Sequence, residues 1–218
     1  MPTPTPVTRP PRLLIFDVGN VLLRWDPRPA LAADGGDEIA DAVLAGDDFD
    51  FAAWNLEQDR GRSFDDAEAE VAKTHPRLLP AIRSYRANFA KSLTGVIEGT
   101  VAITREVGDL GIPMVALTNF SEETFARTRE LYPEVFAPFI DMIVSATERV
   151  TKPDPRIYAI LLARIAHLAT ADQCLFVDDN PGNVAAAHAA GMDAVVFTTA
   201  ETLRTDLIAR GLALRPVT

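Results

Sequence analysis

A single cysteine, Cys174, stands among 218 residues. One thiol forms no intrachain disulfide, and it excludes a cysteine-rich zinc site. Long apolar runs are also missing. Runs such as residues 13–16 and 114–117 fall far short of the roughly 20 residues that a bilayer span needs. Positive charge is scarce: 21 Lys and Arg face 31 Asp and Glu, for a net charge of -10. That sign repels a phosphate backbone and an anionic membrane surface, so neither nucleic acid nor membrane is expected as a partner. An anionic substrate would need a local positive device to reverse the field. The 12 Gly and 16 Pro carry no triplet period, which excludes a collagen-like repeat. The Thr/Pro-rich stretch over residues 1–11 lacks the apolar segment of a signal peptide, and a flexible tail on a cytoplasmic protein is expected there.

The rest has ordinary globular composition, 48% hydrophobic and 24% charged, which excludes a disordered chain. The length suits one core plus an insert. Short apolar runs recur and end in polar residues: 13–16 before Asp17, 112–117 before Thr118 and Asn119, 174–177 before Asp178 and Asp179, and 193–197 before Thr198. Residues 139–144 form a further run. Runs that do not alternate suit strands buried on both faces. Helical patterns separate them: residues 101–109 up to Gly111, a helix opening at Ser121, one capped by Asp154 with Pro155 behind it, and an Ala-rich one over 183–190. The expected fold is therefore α/β, a doubly wound parallel sheet with a Rossmann-like core over residues 12–25 and 95–218. Residues 26–94 show helical periodicity, no convincing strand and a Ser63-x-x-Asp66 capping pattern, and are expected to form an inserted helical domain.

Ligands of doubly wound sheets sit beyond the carboxyl ends of the strands. Asp17 at such an end is a nucleophile or metal ligand, or else a turn cap. Thr118 and Asn119 offer a hydroxyl and N–H groups to a phosphate oxygen, or form an ordinary strand-to-helix turn. Lys152, before a helix N-terminus, needs a compensating anion unless it is solvated. Asp178 and Asp179 repel each other unless a cation or a proton intervenes, and an oxygen-only cluster suits Mg²⁺.

In this order and spacing the four elements resemble the haloacid dehalogenase superfamily. The first motif is Asp17-Val18-Gly19-Asn20-Val21, the second Thr118-Asn119, the third Lys152-Pro153 before a helix, and the fourth Asp178-Asp179 with Asn183 beyond. The resemblance spans residues 13–199 and implies a Mg²⁺-dependent phosphatase of a small phosphorylated metabolite. It implies that Asp17 forms an aspartyl-phosphate and that Thr118, Asn119 and Lys152 hold the phosphate. It also implies that Asp17, the Gly19 carbonyl, Asp178 and Asp179 hold the metal, and that residues 26–94 form a mobile cap.

One place departs from the family pattern. The second aspartate, the usual acid–base residue, is Gly19 here, and losing such a group typically costs about 10² to 10⁴ in rate. A good leaving group such as an anomeric phosphate is one answer, and the Asp-x-Gly-Asn variant resembles a subgroup acting on sugar 1-phosphates. Glu57, Asp59 or His75 standing in from the cap is another. Weak or absent catalysis is the third. A 2-haloacid dehalogenase is the alternative chemistry on the same aspartate. In the cap, Arg60 and Arg62 are expected either to read a substrate anion or to pair with nearby acids. Trp25 and Trp54 line a sugar site or belong to a core.

Overall fold

The computed structural model describes residues 10–46 and 48–216, so residues 1–9 of the expected tail lie outside it. Pro11 is already buried, and the Arg12 N–H donates to the Gln173 carbonyl at 2.8 Å. The packed structure thus takes in the last residues of that stretch.

Five strands form one parallel sheet: β1 (Leu13–Phe16), β4 (Met114–Thr118), β5 (Asp141–Val144), β6 (Cys174–Asp178) and β7 (Asp193–Val196). Their order is β5-β4-β1-β6-β7, all neighbours parallel. The first strand is central, which explains its unbroken apolar sequence. Leu14 and Phe16 face one layer while Leu13 and Ile15 face the other, so no polar residue is tolerated on either side. Burying each such side chain contributes roughly 1.5–3 kcal/mol.

On one face lie α6 (Glu98–Asp109), α7 (Glu122–Leu131), α8 (Pro133–Phe136) and α12 (Ala200–Ala209), packing Val101, Phe125, Val135 and Leu203. The opposite face is covered by α10 (Pro155–Ile165) and α11 (Pro181–Ala189) through Ile157, Leu161 and Val184. A short α9 (Ser145–Glu148) follows β5. This is the Rossmann-like α/β architecture expected from the sequence. In α10, Ile157, Leu161 and Ile165 are buried as the spacing predicts, and Tyr158 joins them, its hydroxyl donating to the Asn183 carbonyl at 2.9 Å.

Helices α1 (Arg28–Ala32), α2 (Asp37–Leu44), α3 (Phe51–Asp59), α4 (Phe64–Thr74) and α5 (Leu79–Ala87) form the insert. Their apolar faces meet in a separate cluster around Leu31, Trp54, Phe64, Ile82 and Tyr85. Trp54 belongs to this core. The insert is bounded by a ribbon that the sequence does not announce: β2 (Leu23–Trp25) pairs antiparallel with β3 (Leu93–Val96). These strands are three and four residues long, and Arg24 and Gly95 interrupt any apolar run. Periodicity cannot register so short a signal.

Besides polar links such as the Arg86–Glu123 ion pair, two kinds of contact join insert and sheet. One is a run of aromatic rings, Tyr85–Phe89–Phe120–Phe125–Phe136, with centroids 5.6–5.9 Å apart. The other is a close backbone approach at Gly61. Its φ is +98°, and a Cβ there would lie 2.9 Å from the Ala146 carbonyl oxygen, so only glycine fits. The Ser145 hydroxyl donates to the Asp59 carbonyl at 2.6 Å beside it.

Candidate active site

The carboxyl ends of β1, β4 and β6 open into a cavity of about 210 Å3 whose roof is the insert. Asp17, Asn119, Lys152, Asp179 and Asn183 line its floor. Asn55, Asp59, Tyr85 and Phe89 line the roof, with Trp25 and Leu93 from the ribbon.

At the floor the Lys152 ammonium lies 2.9 Å from Asp17 Oδ1 and 2.6 Å from Asp178 Oδ2. Its aim is set by Asn119. The Asn119 amide donates to the Lys152 carbonyl at 3.0 Å, and its oxygen accepts the Lys152 N–H at 2.8 Å. Asp178 has no exposed surface, and its oxygens accept from Asn183 Nδ2 at 2.9 and 3.1 Å and from the Asn180 N–H at 2.8 Å. The Val18 N–H donates to Asp17 Oδ1 at 2.7 Å, which orients that carboxylate. The turn beyond it closes with the Leu22 and Leu23 N–H groups on the Val18 carbonyl. Its left-handed residue is Asn20, φ 54°, rather than Gly19, and asparagine tolerates that region. No atom lies within 4 Å of where a Cβ on Gly19 would stand, so packing does not demand glycine at that position.

Oxygens of Asp17, Asp178 and Asp179 lie within 4.8 Å of one another. Three carboxylates share one ammonium, an excess of two negative charges if all are ionised. Like charges about 4 Å apart repel by about 4 kcal/mol at an effective dielectric near 20, so a cation or a proton must relieve the cluster. Burial pushes the Asp17 carboxyl up to about 7 against the pull of Lys152, and Asp178 adds to the rise. Burial, then Asp178, also raises Asp179. Burial would lower Lys152, but Asp17 and Asp178 outweigh it and raise the ammonium above its usual range. All-oxygen donors around an unrelieved negative charge fit a hard divalent cation.

The roof has a different chemistry. Asp59 ends α3 and is 9% exposed. Burial pushes its carboxyl up to about 7, Asp17 adds to the rise, and the neighbouring Ser121 N–H and Lys152 oppose it. Its side-chain neighbour is the Asn55 amide at 3.4 Å, whose oxygen accepts from the Tyr85 hydroxyl at 3.2 Å. Among the described residues no arginine or lysine forms an ion pair with Asp59; Lys152 is engaged by Asp17 and Asp178.

The structure thus brings together Asp17, Gly19, Asn119, Lys152, Asp178 and Asp179, as well as Asp59 from the insert. Asp178 stands behind the wall rather than in it, and Thr118 is buried at the end of β4 without lining the cavity. The Asn119 amide is engaged at both ends by the Lys152 backbone. Arg60 and Arg62 do not reach the cavity. Arg60 pairs with Glu57 at 2.6 Å on an exposed face, and Arg62 bonds Glu70, Gln58 and the Trp54 carbonyl. The geometry is the pairing alternative, because the α3 C-terminus turns these side chains outward. Glu57 is held by Arg60, and His75 bonds Thr74 and the Asp48 carbonyl away from the site. The lone Cys174 is buried in β6 with its thiol pushed up to about 11 by burial.

Comparison with known proteins fits this geometry. Residues 11–191 match the model of the haloacid dehalogenase-like hydrolase family. A sesquiterpene phosphatase, astK, of Aspergillus oryzae is 27% identical over 184 residues, covering 82% of this chain and 85% of that one. A haloacid dehalogenase family enzyme of Bacteroides thetaiotaomicron, solved with magnesium and inorganic phosphate, superposes with a TM-score of 0.67 at 15% identity, covering 86% of this chain and 94% of that one. An L-2-haloacid dehalogenase of Xanthobacter autotrophicus superposes at 0.57 and 17% identity, covering 93% and 84%. The chain belongs to the haloacid dehalogenase-like hydrolases.

Proposed function

We propose that this hydrolase is a Mg²⁺-dependent phosphomonoesterase acting on a small organic phosphate, with Asp17 as nucleophile. The observation that carries the reading is the Lys152 ammonium between Asp17 and Asp178, beside an acidic cluster within 4.8 Å. Two carboxylates flanking one lysine suit a dianionic substrate together with a divalent cation. A dehalogenase acting on carbon needs no such cluster.

Mg²⁺ would be held by the Asp17 and Asp179 carboxylates and the Gly19 carbonyl, with Asp178 behind them, and when bound it would neutralise the phosphoryl oxygens and the acids. Asp17, aimed by the Val18 N–H, attacks phosphorus and forms the aspartyl-phosphate. Lys152 offsets the repulsion between that carboxylate and the substrate oxygens, and Asn119 positions it. Thr118 is buried at the end of β4 outside the cavity's lining, so the phosphate contact expected of its hydroxyl falls to Lys152. The helical insert acts as the cap, covering the site against water.

The organic part of the substrate meets Leu23, Trp25, Tyr85, Phe89, Leu93 and Phe120. Away from the phosphate end, the uncharged polar groups of this wall are Asn55, Thr124 and the Tyr85 hydroxyl, which is spent on Asn55. A sugar would leave several hydroxyls unpartnered here, which is costly in a buried site. An apolar alcohol matches the wall, and the name of the Aspergillus relative, a sesquiterpene phosphatase, points the same way. The substrate class is therefore a phosphate monoester of an apolar alcohol rather than a sugar 1-phosphate.

Phosphate release tests this directly. A prenyl monophosphate, glucose 1-phosphate, glucose 6-phosphate and an aryl phosphate would be compared with Mg²⁺ and with a chelator, beside chloride release from 2-chloropropionate. Mg²⁺-dependent turnover with the highest kcat/KM on the prenyl ester is expected. Chelator-insensitive chloride release would overturn the phosphatase, and a preference for glucose 1-phosphate would overturn the substrate class alone.

A further inference from the structure

We infer that Asp59, on the helical insert, is the acid–base catalyst of this site, taking over from outside the sheet the proton transfers that Gly19 cannot perform. The inference rests on the phosphomonoesterase reading above and goes beyond it. As Asp17 Oδ bonds to phosphorus and the ester P–O bond breaks, Asp59 gives its proton to the departing oxygen, so that a neutral alcohol leaves. Water then attacks the aspartyl-phosphate, the P–O bond to Asp17 breaks, and Asp59 takes the proton that the water loses. The products are alcohol and phosphate, and both aspartates return to their starting states.

Three observations carry this. Asp59 lines the same cavity as Asp17, on the side facing the sheet's acids. It is buried with neutral hydrogen-bonding neighbours, the Asn55 amide, the Tyr85 hydroxyl behind it and the Ser121 N–H, and it has no ion-pair partner among the described residues, Lys152 being engaged by Asp17 and Asp178. A carboxyl so placed costs stability when ionised, and such residues persist where function needs a proton held near neutral pH. Its position is also fixed: the Ser145 hydroxyl holds its carbonyl, and Gly61 lets the following turn press against the Ala146 carbonyl. Buried without an ion-pair partner, it carries the raised pKa that a proton donor requires, burial outweighing the opposing pull of Lys152. Because the donor is on the insert and the nucleophile is on the sheet, the proton is delivered only when the two are closed together. An open site would bind phosphate without protonating a leaving alcohol.

The test compares the full chain with Asp59→Asn on esters of graded leaving group, from 2,4-dinitrophenyl phosphate through phenyl phosphate to a simple alkyl phosphate. Loss of about 10² to 10⁴-fold is expected on the alkyl ester, with less than about tenfold on the dinitrophenyl ester, whose leaving group needs no proton. Inorganic phosphate should still bind with wild-type affinity, and the melting temperature should hold or rise. Equal losses on all esters, or no loss on the alkyl ester, would overturn the assignment. So would a variant that melts several degrees early, since that marks a structural residue. A wild-type chain silent on every ester would instead overturn the phosphomonoesterase reading, which separates the two failures. A second variant uses the open space at residue 19. Gly19→Asp added to Asp59→Asn should recover at least tenfold on the alkyl ester, and a double variant no faster than Asp59→Asn would count against the proton-transfer role.

Discussion

The sheet and the helical insert treat their buried carboxylates in opposite ways. Asp178, at the end of β6, has no exposed surface, and it accepts from Lys152, from the Asn183 amide and from the Asn180 N–H. Asp59, at the end of α3, is almost as buried and accepts only from neutral groups. The first arrangement stabilises a charge; the second stabilises a proton. Two aspartates of equal chemistry thus acquire different roles from their surroundings, and a cavity with Lys152, backed by Asp178, in its floor and Asp59 in its roof can hold an anion's charge on one side and protonate on the other.

The sharpest break in that comparison comes from Asp17→Asn. It removes the nucleophile on the sheet's side and leaves the insert untouched, so turnover on every ester should fall on the order of 10⁴-fold or more. A rapid-quench search for the aspartyl-phosphate checks it, and a covalent phosphoenzyme in the variant would refute the assignment. Lys152→Met comes next. It leaves Asp17 and Asp178 unpaired, and removing one partner from a buried charge network costs about 3–5 kcal/mol, with about 10² to 10³ in rate from the lost charge. Denaturant unfolding should show that loss of stability, and added Mg²⁺ should restore part of it. The contrast with Asp59→Asn, expected to lose rate and no stability, is the comparison in its strongest form.

A milder probe is pH. The groups facing Asp59 are Asp17 from the β1 turn, Lys152 from the loop before α10, the Asn55 amide on its own helix with the Tyr85 hydroxyl behind it, and the Ser121 N–H before α7. With its pKa pushed up to about 7 by burial and then by Asp17, Asp59 holds its proton below that pH and loses it above. The rate on an alkyl ester should therefore decline above about pH 7, and that decline should flatten in Asp59→Asn. Stability follows the same group with its own sign. An unfolded aspartate ionises near 3.9, so between about pH 4 and 7 the folded state binds the extra proton and stability falls as pH rises. Asp17, pushed up by burial to about the same value, gives a slope of the same sign, so replacing Asp59 by asparagine should make the slope shallower without abolishing it, which thermal melts across pH 4–8 would record.

The same contrast explains what could be read from the sequence. Asp17, Thr118 and Asp178 each close an uninterrupted apolar run, because β1, β4 and β6 are buried on both faces and the first polar residue marks the strand end. The placement of Asp17 and Asp178 at strand ends, and the parallel sheet itself, were legible for that reason. Helix α3 offers no such marker. Trp54 faces the insert's core, and the polar Gln58 is buried one turn further on the same face, whereas Asp59 is buried on the side that lines the cavity, so hydrophobic periodicity does not reveal which polar residues are enclosed. Asp59 therefore stood level with Glu57 and His75 as a stand-in, and only the fold separates the three. The β2–β3 ribbon escaped for a related reason, being too short to show a period.

The smallest effect belongs to the residues that the sequence placed at the substrate and the fold turned outward. Arg60 makes one exposed ion pair with Glu57, with about half of each side chain in solvent. Exposed pairs of this kind contribute little, so Arg60→Ala should move stability by less than about 0.5 kcal/mol and leave kcat/KM unchanged. Arg62 differs by its neighbours. It is 22% exposed and donates to Gln58 and to the Trp54 carbonyl, tying the turn after α3 back onto the helix. Arg62→Ala should cost about 1–2 kcal/mol through those lost bonds, and the rate should fall only as far as the loosened turn misplaces Asp59. A kcat loss on alkyl esters that spares the dinitrophenyl ester would place Arg62 behind Asp59 as a positioning residue. A rise in KM on every ester with kcat intact would instead return it to the substrate, and would mean that the insert swings its outer face inward when the site closes.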